Sequence, residues 1–179
     1  MGKLNKNGYL IHNQDHHVKN ESHSKLIFTI LCRVVENIDI LDDGTVDKYK
    51  YDVEVMNSNT FEIIKVELEN RAKKHFDNIW NSRYSSLDIP ERKLNYKNES
   101  DMYIVTCVGD YQRFMVIKEF QDVLKNSEVY EKYNSYTKDT ERFIKVPLSC
   151  LYRIDIENLI PAQKKKYKEI LQKTLDKKQ

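Results

Sequence analysis

The chain has 179 residues, 32% of them charged, and 30 Lys and Arg against 28 Asp and Glu leave a formal net charge of +2. That length suits one domain, residues 1–179, with a core that needs no staple, and that charge permits nucleic-acid binding without demanding it. Three scattered cysteines, Cys32, Cys107 and Cys150, with no Cys-x-x-Cys motif, read as reduced, largely structural thiols, and the polar stretch Met1-Gly2-Lys3-Leu4-Asn5-Lys6 and the lack of a long apolar run predict neither a signal peptide nor a membrane span.

In chain order, residues 1–20 are polar and read as flexible or irregular. His12, His16, His17 and His23 fall there or just beyond, in a spacing that matches no standard zinc pattern. From Glu21 to Ile38, the residues Leu26, Ile27, Ile30, Leu31, Val34, Val35 and Ile38 recur at helical spacing after a capping Asn20. Glu21 sits in the first turn, where a carboxylate complements the helix dipole. Asp42-Asp43-Gly44 then marks a turn.

Two strands follow, Tyr49–Met56 and Phe61–Glu69, joined by Asn57-Ser58-Asn59. Alternation places Tyr51, Val53 and Val55 on one side of the first, and Ile64, Val66 and Leu68 on one side of the second. A hairpin register that buries both sets together gathers Lys50, Asp52 and Glu54 with Lys65, Glu67 and Glu69 on the other side. Three carboxylates, Asp52, Glu67 and Glu69, then share a face. Such a cluster repels itself unless a cation sits within it, and Mg²⁺ (or Mn²⁺), which takes one or two carboxylates, several waters and a phosphate, answers that description. The alternative is a solvated strand face, which shows the same alternation.

Asn70 caps a second helix, Arg71 to about Tyr84, with Ala72, Phe76, Ile79 and Trp80 as its apolar stripe. Trp80 reads as a packing anchor. Leu87 to Leu94 is an edge or irregular strand, because Pro90 lacks a ladder donor, and it presents Arg92 and Lys93. Met102–Val108 and Phe114–Ile117 form a second hairpin through Gly109-Asp110-Tyr111, the first strand apolar enough to be central. Lys118 to Tyr136 reads as short helical turns ending in a Tyr-rich stretch, Tyr130 to Tyr136, which suits either base stacking or a covered polar surface. A last strand, about Arg142 to Val146, precedes Pro147. Pro161 opens a basic C-terminal helix, 161–179, with Tyr167, Ile170, Leu171 and Leu175 on one stripe and Lys165 and Lys166 among its many lysines, either tracking a phosphate backbone or solubilising the end of the chain.

The set Asp52, Glu67-Leu68-Glu69, a helix bearing Trp80 and then Ile89-Pro90-Glu91-Arg92-Lys93 resembles the PD-(D/E)XK nuclease superfamily of restriction and phage-type endonucleases, over roughly Glu21 to Ile117. The resemblance implies an α/β fold with a restriction endonuclease-like core, a mixed central β-sheet flanked by helices. It implies a metal-dependent endonuclease in which Asp52 and Glu67 hold Mg²⁺ against the scissile phosphate and Glu21 assists from the first helix. Glu69 stands where the family usually has lysine, and either completes the metal shell or accepts a proton. Lys93 is then the first candidate for the displaced lysine and Lys65 the second. Arg71, Lys73, Lys74 and Arg92 flank the site as backbone-binding cations. DNA is the implied partner, RNA is not excluded, no membrane is involved, and a homodimer fits a double-strand cutter. Reduced cysteines and a Lys-, Asn-, Ile- and Tyr-rich composition imply the cytoplasm of a bacterium or a phage-infected host. Two other classes fit the same residues: a nuclease-like nucleic-acid-binding module without catalysis, and a phage accessory or inhibitor protein whose acidic face engages a basic partner.

Overall fold

The structure, a computed structural model, describes residues 14–35, 37–42, 52–91, 100–134 and 139–177. A long helix α1 (Gln14–Val34) leads into an antiparallel meander, β1 (Ile38–Asp42), β2 (Val53–Asn57) and β3 (Ile63–Arg71), followed by helix α2 (Lys73–Trp80) and strand β4 (Ser86–Pro90). Next come β5 (Met102–Cys107), β6 (Asp110–Lys118), the short helix α3 (Phe120–Lys125), β7 (Glu128–Asn134), β8 (Asp139–Pro147), β9 (Tyr152–Asp155) and the terminal helix α4 (Pro161–Asp176). The strands make a six-stranded sheet, β1-β2-β3-β5-β6-β9, and a three-stranded sheet, β4-β8-β7. Only β3 and β5 pair in parallel, so the larger sheet is mixed, and the crossover that parallel pairing requires carries α2 and β4.

The β2–β3 register is the one hydrophobic burial selects. Val53 faces Val66 and Val55 faces Ile64, which puts the apolar sets on the side covered by α1 and α4. The turn is held by the Asn57 carboxamide, which accepts the Asn59 N–H at 3.0 Å, and by a left-handed Phe61 (φ 58°). On the far side of the sheet, Tyr103, Val105, Cys107, Met115 and Ile117 meet Phe76 and Ile79 of α2, Phe120 and Leu124 of α3, and the inward residues Leu87, Ile89, Ile144 and Val146 of the small sheet. Strand β5 is therefore buried on both faces, which accounts for its unbroken apolar run.

Several boundaries differ from the sequence reading. Helix α1 begins at Gln14 rather than after Asn20, so Asn20 is not its cap and Glu21 is not in its first turn, and it ends at Val34 rather than Ile38, because Asn37 turns left-handed (φ 69°) and Ile38 starts β1. Strand β3 runs on through Arg71, so α2 begins only at Lys73, and Asn70 does not cap it: its carboxamide oxygen accepts the Thr106 hydroxyl instead. The stretch expected to form helical turns up to Tyr136 is helical only in α3 and then becomes β7, where pairing with β8 prevails over weak local preference. Of the turn at Asp42-Asp43-Gly44, the last two residues lie outside the described residues, as do Tyr49 to Tyr51. No helix among the described residues is long and apolar enough to cross a membrane.

Arg113 ties α2 to β6. Its Nε donates to Asp110 at 2.7 Å and its Nη2 to Asp77 at 2.9 Å, while the guanidinium lies 5.5 Å from the ring centres of Phe76 and Trp80. Arg113→Ala is expected to cost about 2–3 kcal/mol in urea unfolding, from two charge-assisted hydrogen bonds and the ring contacts, and Arg113→Lys to restore less than half, because an ammonium cannot fork between two carboxylates.

The cysteines give a second check on the core. Burial pushes the Cys32 thiol up to about 12, and burial followed by the fields of Asp110 and Asp77 raises Cys107, whereas Cys150 is half-buried. At pH 8 a thiol-specific dye should label Cys150 promptly in the native protein and reach the other two only after unfolding.

Candidate active site and basic cleft

The acids of the hairpin are positioned by backbone pairing. Because Val53 pairs with Val66, Asp52 falls beside Glu67. Its N–H donates to the Val66 carbonyl at 3.1 Å and its carboxylate accepts the Leu68 N–H at 2.7 Å, so Asp52 brackets Glu67 from the neighbouring strand. Glu67, only 6% exposed, shares a row with Tyr103 and therefore lies on the side away from α1. Glu54 and Lys65 form the adjacent row. The Lys65 N–H is held at 2.9 Å by Asp101.

Glu69, one row further along, has both oxygens engaged. One accepts the Tyr103 hydroxyl and the other pairs with Nε of Arg71. Arg71 Nη2 then donates to the Asp88 carbonyl at 2.8 Å, which joins the end of β3 to the small sheet. The Asp88 carboxylate in turn pairs with Lys132 at 3.2 Å and bonds the Tyr130 hydroxyl. Burial first, and that bond second, push the Tyr130 hydroxyl far above the ordinary tyrosine value, so it remains a donor.

This network floors an open cleft of about 1090 Å³ between β3 with α2 and the outer face of the small sheet. Register explains the lining. Asp88, Lys145 and Glu128 make one cross-strand row, and Tyr130 and Phe143 lie in the next, while the alternating residues Leu87, Ile89, Ile144 and Val146 point into the core. His75, Arg83 and Tyr84 supply the opposite wall.

The structure thus brings Asp52 and Glu67 together, and Glu69 and Arg71 together at the cleft floor. It does not bring every expected residue to that place. Lys73 and Lys74 are exposed at the start of α2 and do not line the cleft. Lys165 and Lys166 are exposed on α4, which packs with α1 on the opposite side of the large sheet. There Lys164 and Lys168 hold the Glu157 carboxyl below the usual carboxylate range, so part of the lysine run is internally paired. Glu21 lies in α1, but its side chain is outside the described residues, as are Arg92 and Lys93. Of the weighed histidines, His23 bonds the Cys107 carbonyl at 2.9 Å and packs on Tyr111. The sequence reading missed Asp88, Lys132, Lys145 and Arg83. The alternation Glu128, Tyr130, Lys132 was the available signal, and it is read once β7 is a strand.

Among the described residues no three His, Cys, Asp or Glu side chains form a metal-holding group. Two carboxylates on adjacent strands nevertheless match the small protein share that Mg²⁺ takes when waters and a phosphate complete its shell. The donor set therefore fits as Asp52 with Glu67, and Glu69 is occupied by Arg71 and Tyr103. Fold and site together define a mixed α/β protein, its central mixed sheet flanked by helices, with an acid pair on one strand hairpin and a cleft of mixed charge and tyrosine lining beyond it. Comparison with protein-family models, with curated proteins and with solved structures finds no match.

Proposed function

We propose that the chain is a metal-dependent nuclease that hydrolyses DNA phosphodiester bonds on a restriction endonuclease-like core. The observation that carries this reading is the bracketing of buried Glu67 by Asp52 across the β2–β3 hairpin. Asp52 and Glu67 would hold Mg²⁺, which when bound acidifies a water and offsets charge on the phosphate. Glu69 fixes Arg71 at the cleft floor, where its charge adds to the field beneath a bound phosphate backbone. A mixed sheet with helices on both faces and acids on its antiparallel hairpin supports the same reading. Incubation of supercoiled plasmid with the purified chain should give nicked circles with Mg²⁺ or Mn²⁺ and none in EDTA.

A second reading, a nuclease-like module that binds without cutting, is favoured by one observation: the acid at the position of the motif lysine is neutralised by Arg71. DNA retention with no nicking under either metal would select it. Binding confined to a basic protein would select the accessory role instead.

A further inference from the structure

We propose that the cleft between α2 and the small sheet is a binding site for a single, unpaired DNA strand, an inference that rests on the nucleic-acid reading above and names its substrate form. Its rings are Tyr84 of the α2–β4 connection, 39% exposed, and the half-buried Tyr130 of β7 and Phe143 of β8. A duplex keeps the faces of its bases stacked inside and offers a protein only edges and phosphates. An unpaired strand offers the base faces themselves, and every base has one, so exposed rings along a groove select for strand form rather than sequence.

The charges beside those rings suit a phosphate backbone. Lys132 and Lys145 are paired with Asp88 at 3.2 Å and with Glu128 at 3.7 Å, but all four side chains reach solvent. Such exposed pairs are weak, so an incoming phosphate can take over either lysine at little cost. Arg83 adds a third cation next to Tyr84, and its guanidinium has no ion pair among the described residues. By contrast Arg71 is anchored on both sides, by Glu69 and by the Asp88 carbonyl, and forms a fixed floor. The arrangement is a set of rings and three exchangeable cations lining one cleft, whose floor lies at the end of the strand that carries Glu67 and Glu69.

Fluorescence anisotropy of a short fluorescein-labelled single-stranded DNA, and of the same strand annealed to its complement, tests this in EDTA, where nothing is cut. The single strand should bind at least about tenfold more tightly than the duplex, with a logarithmic salt slope near about −2 for three phosphates engaged by Arg83, Lys132 and Lys145. Tyr84→Ala should weaken single-strand binding about tenfold, with Tyr84→Phe restoring it because the ring is kept, and Lys132→Ala should reduce the salt slope by about 0.7. Equal or tighter binding of the duplex, or a Tyr84→Ala variant that binds as the parent does, overturns the proposal. Because no metal is present, this outcome is separate from the nuclease reading: nicking that depends on Asp52 and Glu67 can survive the loss of strand preference, and strand binding can persist where nicking is absent.

Discussion

Glu67→Gln and Asp52→Asn are each expected to lower metal-dependent plasmid nicking by about a hundredfold or more while leaving the fold nearly as stable as before. Both exchanges remove a negative charge without changing size. Glutamine at 67 keeps the volume of a side chain that is only 6% exposed, so the loss is one of charge and not of packing. Asparagine at 52 is the sharper case. Asp52 has a structural duty as well as the proposed metal-holding one, since its Oδ2 accepts the Leu68 N–H at 2.7 Å, and the carboxamide oxygen of asparagine can accept the same bond. Asp52→Ala, in contrast, leaves that N–H without its acceptor and should cost about 1–2 kcal/mol of stability in addition to activity. Thermal melts beside nicking rates separate the two effects. If Asp52→Asn cuts as fast as the parent at equal protein and Mn²⁺, the acid pair is only a strand-end brace and the catalytic reading is wrong.

The hairpin and its acids were legible because alternation is a strong constraint: a slip of one residue would have put Val53, Val55 and Val66 in water. The same holds for β5, whose apolar run has room only at the centre of a sheet, and for α4, announced by Pro161. What was not legible depends on partners distant in sequence. Ile38 continues the helical spacing of α1, and only pairing with Asn57 makes it the start of a strand. In β7, Val129 is the one aliphatic residue, so no apolar period marks the segment, and its strand form comes from the ladder to β8. The cleft is harder still. Its floor is set where Arg71 at the end of β3 reaches the carbonyl of Asp88 in the other sheet, a contact that leaves no local trace. Asn70 shows the opposite failure, a good capping residue whose side chain is instead drawn to Thr106, itself bonded to Ser24 of α1.

Phe120→Ala should produce the largest loss of stability of any single substitution considered for this protein, about 3–5 kcal/mol, read as a fall in melting temperature of about 6–20 °C. Phe120 is fully buried at the start of α3, a helix of six residues that is too short to persist without its anchor. Its ring stacks on Tyr103 with centres 4.5 Å apart and planes 14° apart, and Tyr103 is the residue whose hydroxyl holds Glu69. Truncation therefore opens a cavity directly behind the brace that orients the Glu69–Arg71 pair, and the effect should pass from the core to the cleft. Leu124→Ala is the control: the same helix, the same cluster and a similar cavity cost, but no ring against Tyr103. Assayed well below both melting temperatures, Phe120→Ala should cut or bind DNA several-fold less well than Leu124→Ala. Equal function in the two variants would show that the Tyr103 ring keeps its place without Phe120 and that the core and the cleft are mechanically independent.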